Sequence, residues 1–182
     1  MKFEETPLSG SYIITLSKSG DSRGWFARSY CSEEYKKNGL NINWVQSNHS
    51  FSSEKGTVRG MHYQVPPYGE IKLVRCIAGS VYDVIVDLRK DSPTFLKWYG
   101  VELSASNMQM LYIPIGFAHG FQTLSANTEL IYQHSHVYTP DAEAGIRYND
   151  ELIQISWPLP ATNISERDAK HPLLQSSFKG LE

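Results

Sequence analysis

The sequence predicts an all-β protein, a sandwich or small barrel of short strands with a few short helices. Apolar and β-branched runs of strand length recur along the 182 residues, and turn signals part them roughly every 8–12 residues, the spacing of sandwiches and barrels. The chain holds 11 tyrosines, 7 phenylalanines and 4 tryptophans, a load that favours pleated surfaces and lined pockets over a helical bundle. An apolar share of 41% is that of a globular domain with a real core, and no linker, repeat or low-complexity block divides residues 1–182, so one domain is expected.

The elements follow in order. "GSYIITLS" reads as a strand and "SGDSRG" after it as a turn. "SEEYKKNG" can form one short helix, with Ser32 as N-cap and Gly39 just past its end. "INWVQSNHSF" is extended, and "TVRGMHYQV" is a strand stopped by "PPYG". "EIKLVRCIAG" and "SVYDVIVDLRK" flank "AGS" like the arms of a hairpin. "KWYGVELS", "MLYIPIGF", "HGFQTLS" and "TELIYQHSHVY" continue the rhythm, and the tail from Pro158 is expected to pack as loops and one short helix.

Period-2 alternation sorts the faces. Tyr132, His134, His136 and Tyr138 point one way; His62 and Gln64 share a face, as do Lys72, Val74 and Cys76. Turned inward, such stripes give a wet, aromatic-lined cavity for a polar ligand.

A net charge of −2 offers no global field for nucleic acid or anionic lipid. Two cysteines make neither a disulfide framework nor a four-thiolate zinc site. "MKFEETPLSG" lacks the apolar core of a signal peptide, and no run approaches the roughly 20 apolar residues that cross a bilayer, so no membrane association and a cytoplasmic location are expected.

His62 can act as a general base, and its alternative is a satisfied histidine within a sheet. Lys72, between Ile71 and Leu73, either guards a sheet edge or faces a cavity, where its ammonium could hold an oxyanion. Arg23, Arg59 and Arg75 are candidates for phosphate, although no P-loop or dinucleotide fingerprint is present. His134-x-His136 could open a metal site with His49, His62 or His119, but spacing places no third ligand.

"DSRGWF", "VQSNHSFSSEKGTVRGMHYQ", "KLVRCIAGSVYDVIVDLRKDSPTF", "IPIGFAHGFQTL", "AGIRYNDE" and "ISERD" together resemble the dTDP-4-dehydrorhamnose 3,5-epimerase family from about Gly20 to Asp168. The resemblance implies a cupin-type jelly-roll barrel, a homodimer, no metal and no organic cofactor. The implied substrate is a nucleotide-diphosphate-linked 4-keto-6-deoxy sugar. By position His62 matches the catalytic base, Asp168 the acid paired with it, Tyr132 the proton donor across the sugar ring and Lys72 the residue near the keto oxygen. Arg23 and Arg59 match contacts to diphosphate or sugar; Gln46 and Asn48 match the family's Gln-Asp-Asn stretch; His119, Tyr138 and Glu143 match further ligand contacts, Tyr138 as the ring stacked on the base. The chain departs at Arg28, where better-known members carry a glutamate near the nucleotide, at Ser47 for aspartate, at Arg167 for lysine, and at Gln133-His134 after the tyrosine. Arg28 and Arg167 stay among the expected substrate contacts. These departures keep open an epimerase of another nucleotide sugar, CDP-linked for example, or of a single carbon; His134 and His136 keep open a metal-dependent cupin.

Overall fold

The computed structural model describes residues 1–182. Its strands are β1 (Lys2–Glu5), β2 (Tyr12–Thr15), β3 (Lys18–Asp21), β4 (Gly24–Ala27), β5 (Gln46–Ser52), β6 (Thr57–Gln64) and β7 (Lys72–Ala78). They continue as β8 (Ser80–Asp87), β9 (Trp98–Ser104), β10 (Gln109–Ile113), β11 (Phe117–Thr123), β12 (Thr128–His134), β13 (Glu143–Gly145) and β14 (Asn163–Ile164). Helices are short: α1 (Ser32–Lys37) and α2 (Glu166–Ala169).

Two sheets face each other, one ordered β1-β2-β10-β7-β12-β5 and the other β13-β6-β11-β8-β9, with β14 added in parallel to β6. Between them lies a core of alternating inward residues, among them Val74, Ile85, Leu103, Leu111 and Leu130, all buried. The back of the first sheet is covered by α1 and the loop after it, with Tyr35, Tyr30 and Trp44 packed over Leu73, Met110 and Tyr112. The back of the second is covered by the chain beyond β13, where Ile146, Ile153 and Trp157 lie on Met61, Val84 and Ala118. This double covering explains why every residue of β11 is buried although its sequence does not alternate.

Three local expectations are corrected. The helix cap is Cys31, not Ser32, and it makes no side-chain cap bond; Gly39 does follow the C-cap Asn38. β7 and β8 are not a hairpin but belong to opposite sheets. The chain turns the corner at Gly79, whose φ of +71° and contacts with Ser125 and Thr128 leave no room for a Cβ. β12 ends at His134, so His136 and Tyr138 leave its alternation. "SGDSRG" closes a small two-stranded hairpin of β3 and β4. The tail does supply one short helix, α2, and adds β14.

Candidate active site

A cavity of about 600 Å³ opens between the sheets. The second sheet contributes His62 and Arg59 from β6 and His119 from β11; the first contributes Lys72 from β7, Tyr132 and His134 from β12 and Asn48 from β5. The inward phase read from the sequence for His62, Lys72, Tyr132 and His134 is the phase observed, and Lys72 faces the cavity rather than an edge.

His62 lies opposite His119 and Gly145 in the sheet register. Its Nε2 donates to Asp168 Oδ1 at 2.8 Å, and the backbone N–H of Gly60 donates to Asp168 Oδ2 at 3.0 Å. Asp168 reaches this point because Ser165 caps α2, its hydroxyl accepting from the Asp168 N–H. Burial alone would raise the Asp168 carboxyl, but the bonds from His62 and Gly60 outweigh it, helped by the His62 and Arg167 charges, and hold it far below the usual carboxylate range. A carboxylate fixed on Nε2–H leaves the lone pair of the neutral ring on Nδ1.

Across the cavity Tyr132 is half-buried, its hydroxyl 3.1 Å from Ser50 Oγ. Burial pushes this phenol well above its ordinary value, so it keeps its proton throughout the neutral range. Its ring meets that of His119 edge-on at 6.3 Å, and His119 Nε2 donates to the fully buried Asp83 at 2.9 Å. Lys72 Nζ pairs with Glu70 at 3.1 Å, and the other Glu70 oxygen accepts from His134 Nδ1 at 2.7 Å. Burial raises Glu70, but His134 and Lys72 outweigh it, so the net shift is downward and the group stays charged.

At the mouth, Arg167 donates to both Glu143 oxygens at 3.0 and 3.1 Å and lies 3.2 Å from His62 Nε2. Tyr138 OH donates to Glu143 at 2.6 Å. Gln46 sits at the rim, accepting from the Tyr138 N–H and donating to Asn48. Arg59 is anchored by Ser52 and the Phe51 carbonyl. Two expected contacts are not brought here. Arg23 stands at the tip of the β3–β4 hairpin, 88% exposed and paired with Asp21, and Arg28 pairs with Glu34 on α1. Arg75 points to the opposite side of β7, towards Met108. Of the histidines weighed for metal, His136 bonds the Val137 carbonyl and His49 pairs with Glu129 away from the cavity. The donor atoms that do converge are those of His62, Asp168 and His171, within 4.8 Å of one another.

A protein-family model described as dTDP-4-dehydrorhamnose 3,5-epimerase matches residues 5–176. The chain belongs to the dTDP-4-dehydrorhamnose 3,5-epimerase family. A dTDP-4-dehydrorhamnose 3,5-epimerase of Shigella flexneri is 47% identical over 169 residues, 92% of this chain and 93% of the relative. The crystal structure of the Bacillus anthracis enzyme of that name, with TDP and PPi bound, is similar at TM-score 0.92 and 42% identity, covering 95% of this chain and 99% of that one. A 3,5-epimerase of Legionella pneumophila in complex with dTDP-4-keto-L-rhamnose is similar at TM-score 0.91 and 38% identity, covering 100% and 98%. The two apposed sheets are the cupin-type jelly roll of this epimerase family.

Four cavity partners lay outside the sequence expectations: Ser50, Glu70, Asp83 and His171. Glu70 had a readable signal, since in "EIKLV" it is two residues before Lys72 and in phase with it. His171 had none, because it follows α2 in an irregular segment.

Proposed function

We propose that this chain carries out the reaction of its family. It inverts carbons 3 and 5 of dTDP-4-dehydro-6-deoxy-D-glucose on the way to dTDP-L-rhamnose. The carrying observation is the Asp168–His62 pair on one wall of the cavity and a protonated phenol, Tyr132, on the other. A ketone at carbon 4 acidifies carbons 3 and 5, because the carbanion delocalises onto oxygen. His62 Nδ1 takes the proton, and the Asp168 carboxylate stabilises the imidazolium that forms. The Lys72 ammonium holds the enolate oxygen in a site already screened from bulk water. Tyr132 then returns a proton to the opposite face, which inverts the centre. Arg59 supplies charge for the diphosphate, and Tyr138, freed from Glu143, a ring for the nucleotide base.

The reading treats residues 1–182 as one unit and the protein as a cytoplasmic homodimer. Two free thiols, Cys31 and Cys76, fit a reducing compartment. Trp25 and Phe26 on the β3–β4 hairpin are 56% and 72% exposed, an apolar surface that a second copy would cover. No helix is long and apolar enough to cross a membrane.

The test is proton NMR in heavy water with dTDP-, CDP-, UDP- and GDP-linked 4-keto sugars. Deuterium entering carbons 3 and 5 of the dTDP sugar, with inversion at both, is the expected result. No exchange with any of the four would end the proposal.

A further inference from the structure

His171 stands beside the proposed base, yet the mechanism above does not use it. Its Nε2 is buried, has no hydrogen-bond partner, and lies 3.7 Å from Asp168 Oδ1. Its ring meets that of His62 edge-on at 5.5 Å. The fit is close. A Cβ on Gly145, which pairs with His62 in the register, would come within 2.5 Å of the His171 ring, so the strand admits this imidazole only because that residue is glycine. A buried nitrogen without a partner is uncommon, and an ion that binds there is one resolution of it.

The geometry points to a divalent-metal site: we propose that Zn²⁺ binds His62 Nε2, Asp168 Oδ1 and His171 Nε2 and thereby switches off the base. Two imidazoles and a carboxylate are a donor set that suits zinc, with bonds of about 2.0–2.2 Å that set tetrahedral ligands about 3.4 Å apart. The separations of 2.8 and 3.7 Å from Asp168 Oδ1 bracket that spacing, and all three atoms lie within 4.8 Å. No net proton has to leave: the carboxylate is already ionised, and a neutral His62 ring moves its proton from Nε2, where Asp168 now accepts it, to Nδ1. For His62 that shift is the inhibition. Metal on Nε2 fixes a hydrogen on Nδ1, the atom that has to accept one from substrate. His62 and Asp168 both line the cavity, from which water can complete the tetrahedron. Arg167 opposes the ion, with NH2 3.2 Å from His62 Nε2 and Nε 3.3 Å from Asp168 Oδ1. Its side chain is 56% exposed, so it can swing away along its salt bridge to Glu143.

Binding is independent of the function proposed above; only the inhibition rests on it, through the role of His62. The experiment titrates Co²⁺, then Zn²⁺, into the full chain without substrate. It follows the visible cobalt spectrum and calorimetry for the wild type, His171→Phe and His171→Asn, each checked for native circular dichroism. The expected result is one equivalent bound by the wild type and affinity weaker by about 100-fold or more in both variants, since even outer-shell partners of a metal are worth 10–100-fold. Anomalous scattering from a zinc-soaked wild-type crystal locates the ion whether or not the variants fold. No binding below millimolar metal, an anomalous peak elsewhere, or a folded variant that binds like the wild type overturns the proposal. Zinc should also stop deuterium exchange by the wild type and spare His171→Phe. A metal-free wild type that binds zinc but exchanges nothing would contradict the epimerase reading and leave the site standing.

Discussion

Replacing Asp168 by asparagine separates charge and orientation from simple packing. In a buried position the carboxylate gives one oxygen to each of two close donors, His62 Nε2 at 2.8 Å and Gly60 N at 3.0 Å, and Arg167 Nε lies 3.3 Å from the oxygen that His62 holds. An amide has one oxygen and one NH₂, so it cannot accept both. If its oxygen keeps Gly60, its NH₂ faces His62 and drives the proton from Nε2 to Nδ1, the position that has to be free. If its oxygen keeps His62, the Gly60 N–H is left buried and unpaired, which costs about 1–3 kcal/mol. The tautomer shift avoids that penalty and wins. The analogous substitution in a serine-protease triad lowers kcat by about 10⁴. An open cavity with a second contact from Arg167 makes this pair somewhat less demanding, so we expect about 10³–10⁴, or about 4–5.5 kcal/mol in the barrier. Stability should fall by no more than about 1–3 kcal/mol, so the variant stays folded. The assay is deuterium entry into the 4-keto sugar, with kcat and KM measured separately and a urea melt alongside. A folded Asp168→Asn enzyme within about tenfold of wild-type kcat would falsify the orientation argument.

Other consequences follow from the same contacts. Lys72→Met keeps the stem but removes the ammonium, and kcat in steady-state assays should fall about 10²–10³-fold with KM little changed; an equal loss in a distant surface lysine would deny Lys72 its role. Burial raises Asp87, but bonds from Arg89, Ser92 and Thr94 outweigh it and hold its carboxyl below the unfolded value. The stability this contributes is present above about pH 4 and is lost as pH falls through the folded value, so urea midpoints should drop as pH falls below about 4 and Asp87→Asn should flatten that drop. Burial pushes the Cys76 thiol up to about 11, so iodoacetamide should reach it only after unfolding, a point mass spectrometry decides.

The sequence carried the walls of the site better than its floor. Alternation placed His62, Lys72 and Tyr132 inward because β6, β7 and β12 each keep one face on the interior, where a period of two has physical meaning. The β7–β8 corner was misread because a tight hairpin and an inter-sheet corner can both use a glycine at positive φ; only pairing partners distant in sequence tell them apart. Asp168 was reached through family resemblance alone, since a four-residue helix carries no periodic signal. His171 and Asp83 meet partners on other elements, the His62 ring at 5.5 Å between centroids and His119 at 2.9 Å, which no spacing along the chain brings together in advance.

The central claim is that hydrogen leaves carbon to one wall and returns from the other. It is tested most directly by following carbons 3 and 5 of the dTDP 4-keto sugar by NMR in heavy water with His62→Ala and Tyr132→Phe side by side. The account predicts no exchange with the first, and with the second continued loss of carbon-bound hydrogen without wild-type inversion. Normal exchange without His62, or wild-type product without the Tyr132 hydroxyl, would contradict it.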